Sequence, residues 1–351
     1  DWLFQLNKKL SELNVTSPII VTSAGNKARL NLANHFMNDS IFSDIENNPT
    51  FSTCNKAIKF CSRKKFNGVV AIGGGSVMDA AKVINAHLSL NIQNILELIN
   101  NKEIFPQSIP SFFIPTTHGS GSEVTMWGTV WDIHNKKKYS ISNKSLYPNY
   151  AILDAKLTLS LPLDISITTC LDALSHSLEA IWNKNANEIS TDLAIEAISS
   201  IIEFAPMLKI NPSDLTIRKK LLHAANTAGL AFSNTKTAAA HSLSYSLTLH
   251  HDIPHGIASS LSLIPLLDKN KKMIETSLQK ICNKLAMTYE DLKKCIKKIP
   301  NGVIPFSLSS WNIPVHKLSV FTEESFKSNR MENNIIDLSK EDVLSILKKI
   351  Y

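Results

Sequence analysis

The chain has 351 residues, a formal net charge of +7, and 44% hydrophobic against 19% charged residues. That balance excludes a disordered chain, and 11 glycines with 14 prolines exclude a collagen-like or linker sequence. No apolar run reaches the ~18 residues of a membrane-spanning helix; the longest patches are Ile109–Pro115 and the interrupted Ile257–Leu267.

In chain order, Ser17–Thr22, Gly68–Ile72, Ser111–Ile114 and Tyr150–Leu153 read as short buried strands. Helices are expected at Lys27–Phe36, Cys54–Lys64 and Val77–Leu88. Strands alternating with helices imply βαβ units and a mostly parallel sheet. After Pro162, which with Asp164 reads as a helix start, the pattern turns helical. Helices are expected at Ile165–Trp182, Ser190–Leu208, Ile217–Ser233, Thr237–Leu249, Gly256–Leu267, Lys272–Leu285, Tyr289–Lys298 and Lys340–Tyr351. The expected fold class is α/β plus all-α, with an α/β domain over residues 1–160 and an all-helical domain over 161–351. That matches a length fitting about two domains.

Of the 37 cations, 33 are lysine and 4 are arginine. A nucleic-acid reader would cluster arginines. Here lysines gather in small groups such as Lys136–Lys138 and Lys269–Lys272. They read as a solvated basic surface, or as a field attracting anionic substrates and cofactors. The five cysteines, Cys54, Cys61, Cys170, Cys282 and Cys295, are odd in number and form no Cys-x-x-Cys pair. No disulfide framework is expected, and a reducing, cytoplasmic setting is. No signal-like apolar core follows Asp1.

The strand Gly68–Ile72 runs into Gly73-Gly74-Gly75-Ser76 and then a helical stretch. Glycines let the backbone approach a ligand closely, and free N–H groups at a helix start favour a phosphate. The loop is neither Gly-x-Gly-x-x-Gly nor a P-loop, so a pyrophosphate cradle and a tight structural turn both fit it. Asp79, three residues on, suits either helix N-terminal stabilisation or a ligand contact. A second polar loop, Pro115–Glu123, follows the strand Ser111–Ile114. Ligands sit at the carboxyl ends of parallel strands, and an ordinary capped serine-threonine turn reads equally well.

Asp172 and His176 are four apart in a helical run and so share one helix face. His241 lies in a second run, and His255 comes 14 residues later, just after Pro254. One carboxylate and three imidazoles suit Fe²⁺ or Zn²⁺. Only Cys170 is nearby, so a thiolate-rich structural zinc site is not expected. Each histidine taken singly reads as an ordinary core or surface residue.

Together these segments resemble the iron-containing, or group III, alcohol dehydrogenase family. Gly73–Lys82 (GGGSVMDAAK) is similar to its GGGSxxDxAK, and Pro115–Thr125 (PTTHGSGSEVT) to its PTTxGTGSEVT. Asp172–Glu179 (DALSHSLE) is similar to its DAL(S/T)HxxE, and His241 to Pro254-His255-Gly256 to its H-x13-H ending in PHG. The four motifs fall in one order across nearly the whole chain. The resemblance implies a Rossmann-like nucleotide-binding domain, a helical metal-binding domain, and NAD(P)H-dependent interconversion of an aldehyde and an alcohol. It implies Asp172, His176, His241 and His255 as ligands of Fe²⁺, with Zn²⁺ allowed. Gly74, Gly75 and Ser76 would cradle the cofactor's pyrophosphate, with Asp79 a further cofactor-binding residue and Thr116, Thr117, Ser120 and Lys138 along its path. A small-molecule aldehyde or alcohol partner is expected, as is a homodimer; no nucleic acid and no membrane are expected.

Three positions depart from the family. The proton-relay histidine four residues after His241 is Tyr245, whose hydroxyl is a poorer shuttle at neutral pH; His250 and His251 are alternatives, and Tyr245 and His251 stand as the expected proton donors. The aspartate that follows the first strand in NAD-specific members is Ser23, which allows NADP without excluding NAD. The alanine after Pro-Thr-Thr is His118. More narrowly, Trp182–Asn187, His241–Tyr245 and Thr129–Asp132 resemble a phosphonate-associated branch that reduces phosphonoacetaldehyde to 2-hydroxyethylphosphonate. Lys184, Asn185, Asn187 and Lys236 are the expected phosphonate contacts. A generalist alcohol dehydrogenase and a lyase of the dehydroquinate synthase type are the alternatives.

Overall fold

The computed structural model describes residues 1–100, 108–135 and 137–351; Lys136, in the first basic group, lies outside them. The chain divides into two compact units, Asp1–Thr117 with Ser122–Leu157, and His118–Gly121 with Thr158–Tyr351.

The first unit runs α1 (Trp2–Glu12), β1 (Pro18–Thr22), α2 (Ala24–Arg29), β2 (Ile41–Phe42), α3 (Phe51–Cys61), β3 (Gly68–Gly73), α4 (Gly75–Leu90), α5 (Ile95–Asn100), β4 (Ser111–Pro115), β5 (Trp127–Asp132), β6 (Lys137–Ser142) and β7 (Tyr150–Ala151). Five strands form one parallel sheet in the order β2-β1-β3-β4-β7. Both faces of β1, β3 and β4 are covered, which is why they read as continuous apolar runs rather than alternating ones. One face packs on Met78, Ala81 and Ile84 of α4, the other on Leu6 and Leu10 of α1.

This unit departs from the sequence expectation in several places: α1, β2 and α5 were not expected. The helix expected at Lys27–Phe36 instead ends at Arg29, and Asn31 takes a left-handed conformation (φ 48°) before a short 3₁₀ turn. Asparagine tolerates that conformation better than most residues, so the chain turns there. An antiparallel hairpin, β5–β6, was not expected. The segment between its strands has no Asn-Gly or Asp-Gly signal.

The second unit is helical: α6 (Leu163–Ile181), α7 (Glu188–Phe204), α8 (Leu215–Thr235), α9 (Ala239–His251), α10 (His255–Ser260), α11 (Leu263–Asn270), α12 (Glu275–Lys284), α13 (Tyr289–Lys298), α14 (Lys317–Ser325) and α15 (Lys340–Lys349). From Cys170 to Ile181 every residue of α6 is buried, which marks it as the unit's central helix. It packs against α7, α8 and α10. The single helix expected at Gly256–Leu267 is two, α10 and α11. Pro265 has no N–H to give the carbonyl of Leu261, so the ladder breaks and restarts with proline in its first turn. Among the described residues no helix is long and apolar enough to cross a membrane. All five cysteines are free thiols.

Candidate functional site

In the first unit, Gly73 pairs with Pro115 at the carboxyl ends of β3 and β4. The ladder continues one step, the amide of Thr116 donating to the carbonyl of Gly73 at 3.0 Å. The two polar loops therefore leave the sheet side by side. A side chain on Gly74 would put its Cβ 3.1 Å from Thr117, and one on Gly73 would meet Val77 at 2.5 Å. Glycine is thus needed for the loop to lie this close to its neighbours. The amides of Val77 and Met78 bond to the carbonyl of Gly74. Gly75 and Ser76 head α4, where helix amides have no intrahelical partner.

The other expected cofactor residues have definite surroundings. Ser76 Oγ accepts from the amide of Asn48 at 3.1 Å, and Thr116 Oγ1 accepts from Asn26 Nδ2 at 3.5 Å. Asp79 is tied into the fold: one oxygen accepts from Ser122 Oγ and the other from the Thr129 amide, both at 3.0 Å. Burial raises its pKa against the nearby charge of Lys82. Lys82 is fully buried and donates to the carbonyls of Ser122 and Trp127 and the hydroxyls of Ser122 and Thr125 at 2.6–3.1 Å. Lys138 stands opposite Trp131 in the hairpin, its ammonium 5.3 Å from the ring centroid. Ser23 caps α2, accepting from the Asn26 amide at 3.3 Å.

Ser120 belongs to the second unit, in the segment His118–Gly121. That segment is pressed onto helices. A Cβ on Gly119 would meet Thr169 at 2.8 Å, and Gly121 (φ 58°) sits where a Cβ would meet Gly229 at 2.5 Å. His118 is fully buried, and neither ring nitrogen has a hydrogen-bond partner among the described residues. Burial, with the charge of Arg218 beside it, pushes its pKa down to about 3.

The four expected metal ligands all lie in the second unit. Asp172 and His176 sit one turn apart on α6, His241 in the first turn of α9, and His255 heads α10. One ligand atom from each of Asp172, His176 and His241 falls within a 4.8 Å cluster, and all three residues are buried. His255 stands outside that set, with its Nε2 3.9 Å from Asp172 Oδ1. His241 Nε2 is 3.8 Å from the same oxygen. That separation is too long for a hydrogen bond and suits two donors each about 2.1 Å from one ion. His176 is stacked between Phe232 (4.1 Å between centroids) and His241 (4.6 Å), and its buried Nδ1 has no hydrogen-bond partner among the described residues. Burial alone would raise the Asp172 carboxyl; the three imidazoles and Ser259 outweigh it and hold it below the usual range. The donor set and its spacing fit a divalent cation.

Glu179, quoted in the sequence motif without a role, proves central. It is fully buried, accepts from the backbone amide of His241 at 3.0 Å, and lies 2.5 Å from His241 Nδ1. The amides of Ala238 and Ala240 also point to it. Ala238 has no side chain to cap α9, so Glu179 caps that helix from α6 while orienting His241. Burial pushes its pKa up to about 7 against those amides. The signal was present in the sequence: residues 172, 176 and 179 fall on one face of α6.

Gly256 holds α10 in place. A Cβ there would lie 2.2 Å from the carbonyl oxygen of Thr168 and 3.1 Å from Asp172 Cβ. Tyr245, one turn after His241, carries the guanidinium of Arg330 5.2 Å above its ring. His251 ends α9, ten residues and about 15 Å of helix rise beyond His241, with its ring edge-on to Phe321. The structure does not bring it to the metal cluster. Of the expected phosphonate contacts, Lys184 pairs with Asp337 at 2.6 Å, and Asn187 caps α7 in a capping box. Asn185 donates to the carbonyl of Thr235 at 3.4 Å. Lys236 is exposed and has φ 68° and ψ 178°.

Comparison with known proteins gives a consistent answer. A family model for iron-containing alcohol dehydrogenase matches residues 1–155, and one for the C-terminal part of the Fe-containing alcohol dehydrogenase family matches 166–351. The chain is 28% identical over 325 residues to long-chain-alcohol dehydrogenase 1 of Geobacillus thermodenitrificans, covering 89% of this chain and 82% of that one. It is 27% identical over 320 residues to 4-hydroxybutyrate dehydrogenase of Clostridium kluyveri, covering 86% and 84%. Its structure is similar to that of sulfoacetaldehyde reductase from Bifidobacterium kashiwanohense in complex with NAD⁺, with a TM-score of 0.91, 25% identity, and 99% and 94% of the two chains covered.

Proposed function

Because the chain belongs to the iron-containing alcohol dehydrogenase family, and so is an oxidoreductase of alcohols and aldehydes, we propose that it reduces an acid-bearing aldehyde with NAD(P)H. The substrate proposed is phosphonoacetaldehyde, reduced to 2-hydroxyethylphosphonate. The observation that carries the reading is the convergence of Asp172, His176 and His241 within 4.8 Å, with Glu179 fixing His241 from behind. Two proteins to which the chain is similar have substrates named as short-chain acids, sulfoacetaldehyde and 4-hydroxybutyrate. A phosphonate of similar size extends that series.

Asp172, His176, His241 and His255 would hold Fe²⁺, or Zn²⁺ in its place. Gly74, Gly75 and Ser76 would hold the cofactor's pyrophosphate through their amides. Thr116, Thr117, Ser120 and Lys138 are assigned to the rest of its path. Asp79 supports this loop indirectly, by holding Ser122 and Thr129. When bound, the cation polarises a carbonyl oxygen and the nicotinamide supplies hydride. Tyr245 donates the proton to the product oxygen; His251 sits too far along α9 for that role. Ser23 caps α2 and leaves no carboxylate at that position to repel a 2′-phosphate, so the position allows NADPH as well as NADH. Five free thiols fit a cytoplasmic setting, and a homodimer is the expected assembly.

The test is a substrate panel with Fe²⁺-loaded protein and either reduced cofactor. Phosphonoacetaldehyde should exceed propanal, lactaldehyde and glyceraldehyde by about 100-fold in kcat/KM. Comparable rates on the neutral aldehydes would instead describe a generalist alcohol dehydrogenase.

A further inference from the structure

Arg330 is one of only four arginines in the chain. It lies in the loop between α14 and α15, is partly buried, and faces the ring of Tyr245 at 5.2 Å. Tyr245 is itself partly buried, one turn from His241 on the same face of α9. The charge of Glu179, the residue that braces His241, favours the charged form of Arg330 against its burial. A guanidinium therefore lies over Tyr245, one helical turn along α9 from His241.

The loop that carries Arg330 is pinned. The amide of Lys184 donates to the carbonyl of Asn333 at 2.8 Å, and that of Ile335 to the carbonyl of Trp182 at 2.9 Å. Asn333 Nδ2 donates to the carbonyl of Thr237 at 2.8 Å, just before α9. The turn after α6 and the start of α9 thus hold the arginine's loop in register with the ligand-bearing helices. Within the polar run Asn183–Asn187, Lys184 also pairs with Asp337 of this loop at 2.6 Å, whereas Asn185 bonds the carbonyl of Thr235 and Asn187 caps α7.

Arginine presents five N–H donors in a planar fork that matches the oxygens of a phosphonate, sulfonate or carboxylate. Stacking on an aromatic ring keeps the charge while limiting its rotamers. A neutral aldehyde makes no use of such a group.

We propose that Arg330, held against Tyr245, binds the anionic end of the substrate and sets the enzyme's preference for charged over neutral aldehydes. The inference rests on the acid-bearing aldehyde reading above and assigns the residue that enforces it.

The experiment compares wild type, Arg330→Gln and Arg330→Lys on phosphonoacetaldehyde and propanal, with ethylphosphonate binding followed by calorimetry. For Arg330→Gln, KM for phosphonoacetaldehyde should rise about 100-fold with a much smaller change in kcat, and the kcat/KM preference for phosphonoacetaldehyde over propanal should fall by about the same factor. Arg330→Lys should fall between, near tenfold, because the charge remains and the fork is lost. Ethylphosphonate should bind wild type and not Arg330→Gln. Retention of the charged-substrate preference by Arg330→Gln overturns the assignment. So does an equal loss on both aldehydes, which marks a purely structural residue. Should Arg330→Gln fail to fold, ethylphosphonate must compete with propanal in wild type and more weakly in Arg330→Lys; equal inhibition overturns the proposal. A wild-type enzyme with no preference for the charged aldehyde overturns the substrate reading itself, and this inference with it.

Discussion

Glu179 Oε2 lies 2.5 Å from His241 Nδ1, and its other oxygen takes that residue's own backbone N–H. One buried carboxylate thus fixes the ring's orientation and the start of the helix that carries it. With the proton held on Nδ1, the lone pair of Nε2 faces Asp172.

Glu179→Gln keeps the shape but removes the charge that favours this tautomer. Affinity for Fe²⁺ or Zn²⁺, measured by competition with a chelator, should fall about 10- to 100-fold. Unchanged affinity in a folded variant would mean that the pairing only caps α9.

Gly256→Ala places a methyl 2.2 Å from the carbonyl oxygen of Thr168. The contact is backbone, so α10 must move, and His255 with it. Metal affinity and thermal stability should drop together, the latter by about 2 kcal/mol or more. Loss of stability with metal affinity intact would show that His255 is not a ligand.

Lys82→Met removes four hydrogen bonds and leaves Asp79 without its neighbouring cation. Breaking a buried charge arrangement of this kind costs about 3–5 kcal/mol. Urea unfolding should show that loss, with weaker NAD(P)H binding because Ser122 and the loop around it are released. A loss under about 1 kcal/mol would contradict the anchoring role.

His118 gives an acid-sensitive contribution. Its pKa is about 3 in the native protein and 6.5 when solvated. Between these values the unfolded chain holds the extra proton and the native chain does not. Stability is therefore present above pH ~6.5 and declines as the pH falls toward 3. At pH 5 the loss relative to pH 8 is about 2 kcal/mol. His118→Ala should reduce the stability difference between those two pH values by about that amount, whatever its effect at pH 8. An identical difference in both proteins would place His118 in contact with solvent.

Much of this was legible in the sequence because strong local signals agreed with tertiary demands. The runs Pro18–Thr22, Gly68–Gly73 and Ser111–Pro115 are mostly apolar and do not alternate, because the sheet is covered on both faces. The spacing of Asp172 and His176 follows from helix geometry alone. What stayed hidden depended on partners distant in sequence. Arg330 meets Tyr245 from 85 positions away in sequence, and no local pattern announces that pairing. The hairpin β5–β6 lacked a turn signal. Asp79 looked like a ligand contact because its partners, Ser122 and Thr129, are more than 40 residues away. His251 looked close to His241 in sequence, and helix rise separates them.

The central claim is that hydride transfer depends on a cation held by Asp172, His176, His241 and His255. The most direct measurement follows reduced-nicotinamide oxidation by phosphonoacetaldehyde before chelation, after chelation, and after Fe²⁺ is restored, in wild type and His241→Ala. The account predicts activity that disappears with the metal and returns with it in wild type. It also predicts none at any stage in His241→Ala, although that variant remains folded and binds the dinucleotide. Sustained turnover by the stripped wild type, or by metal-free His241→Ala, would contradict it.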